Sequence, residues 1–426
     1  MNRKVAPIIT DPINFDLKLK SIEKFTLDNG VPVYSINAGA EDVMMVELVF
    51  FSGNCFEKQN LIAATANYLL KNGTAQKTAF QLNEHFEFYG SFLSRACYNE
   101  TATITLHTLS KHIHELLPVM QSLVQESIFP DDELATYQQN MKQALQVNLK
   151  KSNFVAGRLI DTYLFGKDHP YGKYSSNKDF DAITKETVLS FYKKKYQQGN
   201  CMIFIAGKFP PSIEATMNNF FGKLSIGNNF KIPEMPLSFI EKPGEKINII
   251  NDETGVQASI RIARRMPNRH HPDFQKLMVL NTIFGGYFGS RLMKNIREDK
   301  GYTYGIHSSL QNHIQHSAWI IGADVGKDVC QATIEEIYKE MKIMKENSVS
   351  EDELMLVKNY MIGSILGDLD GPFQIIARWK NYILNNLNEN YFYEAIQTIK
   401  STSAEELQSL AKKYLNPEEF YELSVI

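Results

Sequence analysis

Residues 184–196 read TKETVLSFYKKKY, and residues 402–414 read TSAEELQSLAKKY. The two segments share Thr, Leu, Lys, Lys and Tyr at a spacing of 218 residues (402 − 184). Upstream, Asp132-Glu133-Leu134 returns as Asp352-Glu353-Leu354, 220 residues on (352 − 132). Two nearly equal offsets in the same order mark an internal duplication, and a duplicated chain changes what every other motif means. The expected domains are residues 1–228 and 246–426. Residues 229–245 join them, with Pro233, Pro236 and Pro243 marking a linker.

Within each half the hydrophobic pattern switches between strand and helix. Phe25 and Leu27, then Asp28-Asn29-Gly30, then Val31 and Val33 read as a hairpin closed by an Asn-Gly type I′ turn. Val46, Leu48 and Phe50 alternate, as do Ala102, Ile104 and Leu106, which predicts half-buried antiparallel strands. Leu134, Tyr137, Met141, Leu145 and Leu149 recur every three or four residues and predict one helix face behind an acidic first turn. In the second half Ser350 to Glu353 and Thr402 to Glu405 read as capping boxes of the matching helices. The fold class that follows is α+β: two homologous domains in tandem, each a mainly antiparallel sheet packed with helices.

Composition narrows the function. The 426 residues carry 45 Lys and Arg against 48 Asp and Glu, a formal charge of −3 that lacks the cationic excess of a nucleic-acid binder. Hydrophobic content of 43% with 11% aromatics is that of a folded globular chain. The N-terminal residues break their apolar run at Pro7 and Asp11, and no apolar run nears the roughly 18 residues of a membrane span, so a cytoplasmic location without membrane attachment is expected. The four cysteines have no C-x-x-C spacing. No two histidines flank a Glu one helical turn apart, and no phosphate-binding or serine-hydrolase motif occurs. His313 and His316 read as surface or hydrogen-bonded histidines, and Gly285-Gly286-Tyr287-Phe288-Gly289 as a flexible loop.

One stretch stands above this background: GGYFGSRLMKNIREDKGYTYGIHSS, residues 285–309. Its Ser290-Arg291-Leu292, Ile296-Arg297-Glu298, Gly301 and Tyr304 resemble a segment of the pitrilysin/insulinase family of zinc peptidases, in particular its half-size members similar to mitochondrial processing peptidase. Leu27 to Gly30, His169 to Gly172, Lys195-Tyr196 and Met202 to Gly207 extend the resemblance over nearly the whole chain. By themselves, an Arg at a helix end and a Tyr in a strand are ordinary surface and rim residues. The resemblance implies instead that Arg297 and Tyr304 are a catalytic pair that hydrogen-bonds substrate near the scissile carbonyl.

The resemblance also implies an inverted zinc motif, H-x-x-E-H, before a Gly-Thr pair, with a Glu ligand roughly 75 residues on. Aligned on Gly73-Thr74, this chain has Ala64, Asn67 and Tyr68 in place of His, Glu and His, and Ala144 at the third ligand. Ser94-Arg95 stands where the family's edge strand carries Asn-Ala. No metal ligand and no cofactor are therefore expected in this chain, and zinc is expected in a partner. The implied function is the non-catalytic subunit of a heterodimeric zinc peptidase, inactive alone. It would supply Arg297, Tyr304 and half of a peptide chamber to a zinc-bearing paralogous peptidase subunit, and form a homodimer in isolation. The rivals are a purely structural paralogue and an independent peptide-binding homodimer.

Overall fold

The computed structural model describes residues 10–227, 229, 232–237 and 244–426. The boundary residue 228 and much of the expected linker, including Pro243, lie outside the described residues. Among those described, the first half builds a sheet from β1 (Glu23–Thr26), β2 (Pro32–Asn37), β3 (Val43–Phe50), β4 (Phe92–Cys97), β5 (Ala102–Leu109) and β6 (Cys201–Gly207), in the order β1-β2-β6-β3-β5-β4. The second half builds one from β7 (Lys246–Ile249), β8 (Gln257–Met266), β9 (Thr303–Asn312), β10 (Ser317–Gly326) and β11 (Tyr421–Val425), in the order β7-β11-β8-β10-β9. With β1 set aside, both sheets follow one topology. In each the first and last strands pair in parallel, β2 with β6 and β7 with β11, and every other pairing is antiparallel. The duplication read from short repeats is thus a duplication of connectivity.

The helices follow the same repeat. The first half places α1 (Ile62–Leu69) and α2 (Ala79–Phe88) before β4, and α3 (Ile113–Gln125), α4 (Asp131–Asn148) and α5 (Ser152–Phe165) after β5. In α4, Leu134, Tyr137 and Leu145 are buried behind the acidic turn Asp131-Asp132-Glu133, as the spacing predicts. Its counterpart is the helix Glu351–Gly367, and the counterpart of α5 is the helix Pro372–Leu384.

The helix Pro372–Leu384 explains why β3 is not half-buried as its alternation suggests. Its residues from Met44 to Phe50 are all buried. Val46, Leu48 and Phe50 face the helices of their own half, in a cluster with Ile62, Leu116 and Leu123. Met45 and Val49 face the helix Pro372–Leu384 of the second half, in a cluster with Ile375, Ile376 and Trp379. The exchange is reciprocal, because α5 lays Ala156, Ile160 and Leu164 on Ala263, Leu423 and Val425 of the second sheet. Each half therefore lends one helix to the other half's sheet, and the apolar area so removed from water ties the halves together.

Two local expectations shift. Asn29 does not take the left-handed conformation of a type I′ turn; only Gly30 does, at φ +84°. The Asn29 amide instead donates to the carbonyls of Phe221 (2.9 Å) and Leu224 (3.0 Å), so a tertiary contact selects the turn. The cap expected at Thr402 falls one residue later, where Ser403 and Glu406 exchange hydrogen bonds at 3.2 and 3.0 Å.

Among the described residues one ion pair crosses the exchanged interface. Lys380, on Pro372–Leu384, donates to both oxygens of Glu47 on β3 at 2.8 and 2.7 Å, and Thr105 donates to the same carboxylate at 3.3 Å. The Glu47 side chain is only 8% exposed and that of Lys380 27%. Removing one member leaves a buried charge without its partner, which costs more than the pair contributes. Lys380→Ala is expected to lower the unfolding free energy by about 3 kcal/mol in denaturant titrations, whereas the double change Glu47→Leu, Lys380→Met falls within about 1 kcal/mol of the parent.

Candidate functional site

Two places demand chemistry: α1, where the zinc motif would lie, and the glycine-rich segment of the second half. Helix α1 starts abruptly because Leu61 takes φ +72° and the buried Glu57 carboxylate accepts the amides of Leu61 (3.2 Å) and Ala63 (2.9 Å). Lys173 neutralises that carboxylate. Downstream, Gly73 holds φ +142°, and a Cβ there would come within 3.0 Å of Pro130, so the Gly-Thr anchor has a structural reason of its own.

Between these fixed ends Asn67 and Tyr68 are taken up in internal contacts. Ala64 is half-buried and Ala144 lies exposed on α4. Asn67 is buried, its amide donating to the Thr103 carbonyl and the Tyr196 hydroxyl, both at 3.2 Å. Burial raises the Tyr196 phenol well above its ordinary range, so it stays neutral. Tyr68, 43% exposed, packs its ring 4.7 Å from that of Tyr137 on α4. Arg95 of the outer strand β4 lies over Tyr68 at 5.2 Å and donates to its carbonyl, closing the C-terminal end of α1. Two alanines, an amide in use and a phenol do not make a zinc site, which takes imidazole, thiolate or carboxylate donors. Among the described residues no three His, Cys, Asp or Glu side chains gather as a metal site would need.

In the second half the glycine-rich segment is rigidly held rather than a flexible loop. Residues Thr282–Gly286 form a π-helical turn against β9, where a Cβ on Gly285 would sit 2.6 Å from that of Ser308. Arg291 clamps the next turn through two parallel hydrogen bonds to Glu353, at 2.8 and 2.7 Å. Asn295 donates to Glu336 (2.9 Å) and Glu340 (2.7 Å). The Asn295 bond holds the Glu336 carboxyl below its usual range, while burial raises that of Glu340. These contacts position a second π-helical turn, Met293–Asp299, which carries Arg297.

Arg297 is half-buried, its guanidinium 4.5 Å from the centre of the Phe288 ring. The chain then reverses at Gly301, φ +68°, and enters β9, the outermost strand of its sheet. There a bulge interrupts the pairing with β10 between Ala323 and Val325, and Thr303 donates to the unpaired Asp324 carbonyl at 2.7 Å. Tyr304 stands at this bulge and is 100% exposed. The turn of Arg297 packs on the strand of Tyr304, so both occupy one edge of the second sheet. Phe288 and Asn295, which hold Arg297 and its turn, belong to the quoted segment but have no periodic signal of their own.

The profile of the family described as "Peptidase M16 inactive domain" matches residues 182–361. An uncharacterized zinc protease of Rickettsia felis is 25% identical over 350 residues, covering 80% of this chain and 82% of its own. The uncharacterized zinc protease YmxG of Bacillus subtilis is 22% identical, covering 95% and 98%. A crystal structure of a peptidase M16 inactive domain from Pseudomonas fluorescens superposes with a TM-score of 0.85 at 22% identity, over 95% of this chain and 98% of that one. These likenesses define the class as a peptidase-like fold. The chain is thus similar to proteins of the peptidase M16 family over most of its length, and it lacks the zinc-motif residues at Ala64, Asn67, Tyr68 and Ala144.

The donor set predicts that purified chain retains less than about 0.1 zinc per molecule after dialysis and cleaves no peptide alone. Elemental analysis together with a fluorogenic peptide assay checks both.

Proposed function

We propose that this chain is the non-catalytic subunit of a two-chain zinc peptidase, with residues 1–228 and 246–426 as two walls of a shared peptide chamber. The single observation that carries the reading is the contrast between the two halves. Asn67 and Tyr68 of the first are given over to internal contacts, whereas Tyr304 stands fully exposed at a bulge on an outer strand against which the turn of Arg297 packs. No carboxylate lies within ion-pairing distance of Arg297 among the described residues. Buried clamps at Arg291 and Asn295 hold the turn beneath this pair, and a solvated charge would need no such support.

In this reading a paralogous partner binds zinc and activates water. This chain supplies a guanidinium and a phenol that donate to the substrate's carbonyl oxygen as negative charge develops there. The unpaired outer edge of β9 offers backbone groups to an extended peptide. A cytoplasmic setting is part of the proposal; among the described residues no helix is long and apolar enough to cross a membrane.

The test pairs Arg297→Ala and Tyr304→Phe chains with the zinc-bearing paralogue. Assembly is followed by sedimentation and turnover with a peptide substrate. Each variant is expected to assemble normally and lose about 10²–10³-fold in kcat. Full turnover by both intact complexes leaves the chain a scaffold.

A further inference from the structure

The turn between β9 and β10, residues 313–316, reaches out of its own sheet and lodges in the first half. Around it gather three imidazoles, one carboxylate and one phenol. His313 stacks on Tyr171 with ring centres 4.0 Å apart, and the Asn99 amide donates to its Nδ1 at 3.2 Å. The Tyr171 hydroxyl donates to Glu100, and the Ile314 amide donates to the same oxygen at 3.3 Å. His169 and His316 both direct Nε2 at the carbonyl of Met235, at 3.1 and 2.8 Å. Gln315 bonds the Met235 amide (2.8 Å) and the Pro233 carbonyl (2.7 Å). First half, connecting segment and second half thus meet in one polar cluster.

The protonation states follow from the partners. A backbone carbonyl can only accept, so Nε2 of His169 and of His316 carries hydrogen. A backbone amide can only donate, so Nδ1 of His169, 3.1 Å from the Tyr171 amide, carries a lone pair. His169 is therefore neutral with both nitrogens in use. His313 is likewise neutral: its Nδ1 accepts from Asn99, and its Nε2 is buried without a partner. A proton added to either Nδ1 sets donor against donor and breaks a bond that holds the cluster.

The surroundings do not welcome that charge. Phe165 packs on His169 and His313. Glu100 is a carboxylate in direct contact with the cluster, and the Tyr171 hydroxyl and Ile314 amide already engage it. Cys55, behind Tyr171, has its thiol pushed up to about 12 by burial and stays neutral, with Lys173 and Lys195 beyond it. Burial, and then the neighbouring His169 and His316, bring the His313 pKa down to about 4, and burial lowers that of His169 as well.

The cluster's place in the fold gives it a consequence. It lies where the two outer strands approach each other: β4 ends at Cys97, just before Asn99 and Glu100, and β9 ends at Asn312, just before His313. We infer that this junction is an acid-sensitive latch, in which protonation of His313 and His169 frees the 313–316 turn from the first half and uncouples the outer edges of the two sheets. The inference is independent of whether Arg297 and Tyr304 serve a catalytic partner.

The sign follows from linkage. A histidine whose folded pKa lies below its unfolded value near 6.5 holds the latch at full strength above that pH and loses it as pH falls toward about 4. The test is amide hydrogen exchange on the full chain, corrected for intrinsic rates, between about pH 7.5 and about pH 4.5. The amides of Tyr171 and Ile314 should lose protection about tenfold or more across this range while those of β3 and β8 stay protected. His313→Gln, which cannot take the proton, should flatten the response. Should that variant misfold, spectra of histidine-labelled parent chain give the second readout: two imidazoles titrating below the ordinary histidine range in step with the loss of protection. Unchanged protection, loss only with global unfolding, or a response abolished by Glu100→Gln but kept in His313→Gln would overturn the latch.

Discussion

The exchange of one helix between the halves is the constraint on which the rest of the structure depends. A sheet with two apolar faces must be covered twice, and neither half covers both of its faces from its own chain. Helix α5 covers the second sheet and the helix Pro372–Leu384 covers the first. This is why β6 is buried along its whole length and why Glu47 can point away from its own half's helices and still find Lys380. Burial of apolar surface supplies the bulk of the association, and the ion pair adds registry more than energy.

With the faces closed, only the outer strands remain available. At equivalent ends of the two sheets stand β4 and β9, whose free edges can pair with an extended chain. The duplication treats these equivalent edges differently. On β4, Arg95 folds back to close α1 and lies over Tyr68, so the first half spends its edge chemistry on its own stability. On β9, a bulge turns Tyr304 outward, and clamps at Arg291 and Asn295 hold the turn of Arg297 against the strand. One half turns its edge residue onto its own helix, and the other leaves Tyr304 exposed above clamped turns.

The position where zinc ligands would lie is filled by hydrogen bonds and rings. Zinc ligands removed one at a time would leave buried polar groups without partners, at a cost of about 1 to 3 kcal/mol each. Here the replacement is complete: Asn67 is satisfied by a carbonyl and a neutral phenol, and two tyrosine rings meet beside it. Histidines gather instead at the junction of the 313–316 turn, where His169 and His316 donate to a backbone carbonyl.

The amino-acid sequence by itself determined the duplication, the α+β class and the absent zinc motif. Each is written locally, in the repeats at Asp132 and Asp352, in strand and helix periods, and in Ala64, Asn67 and Tyr68. It also singled out residues 285–309, although the pattern of that segment does not say that Gly285 is buried or that Arg291 grips Glu353. Only the tertiary structure decided that β3 is buried on both faces, that Asn29 bonds across 192 residues to Phe221, and that His169 and His316 share the carbonyl of Met235. The physical reason is the same in each case. Periodicity reports which face of an element is apolar, but which distant element covers that face, and which buried donor meets which acceptor, are set by packing between segments far apart in the chain.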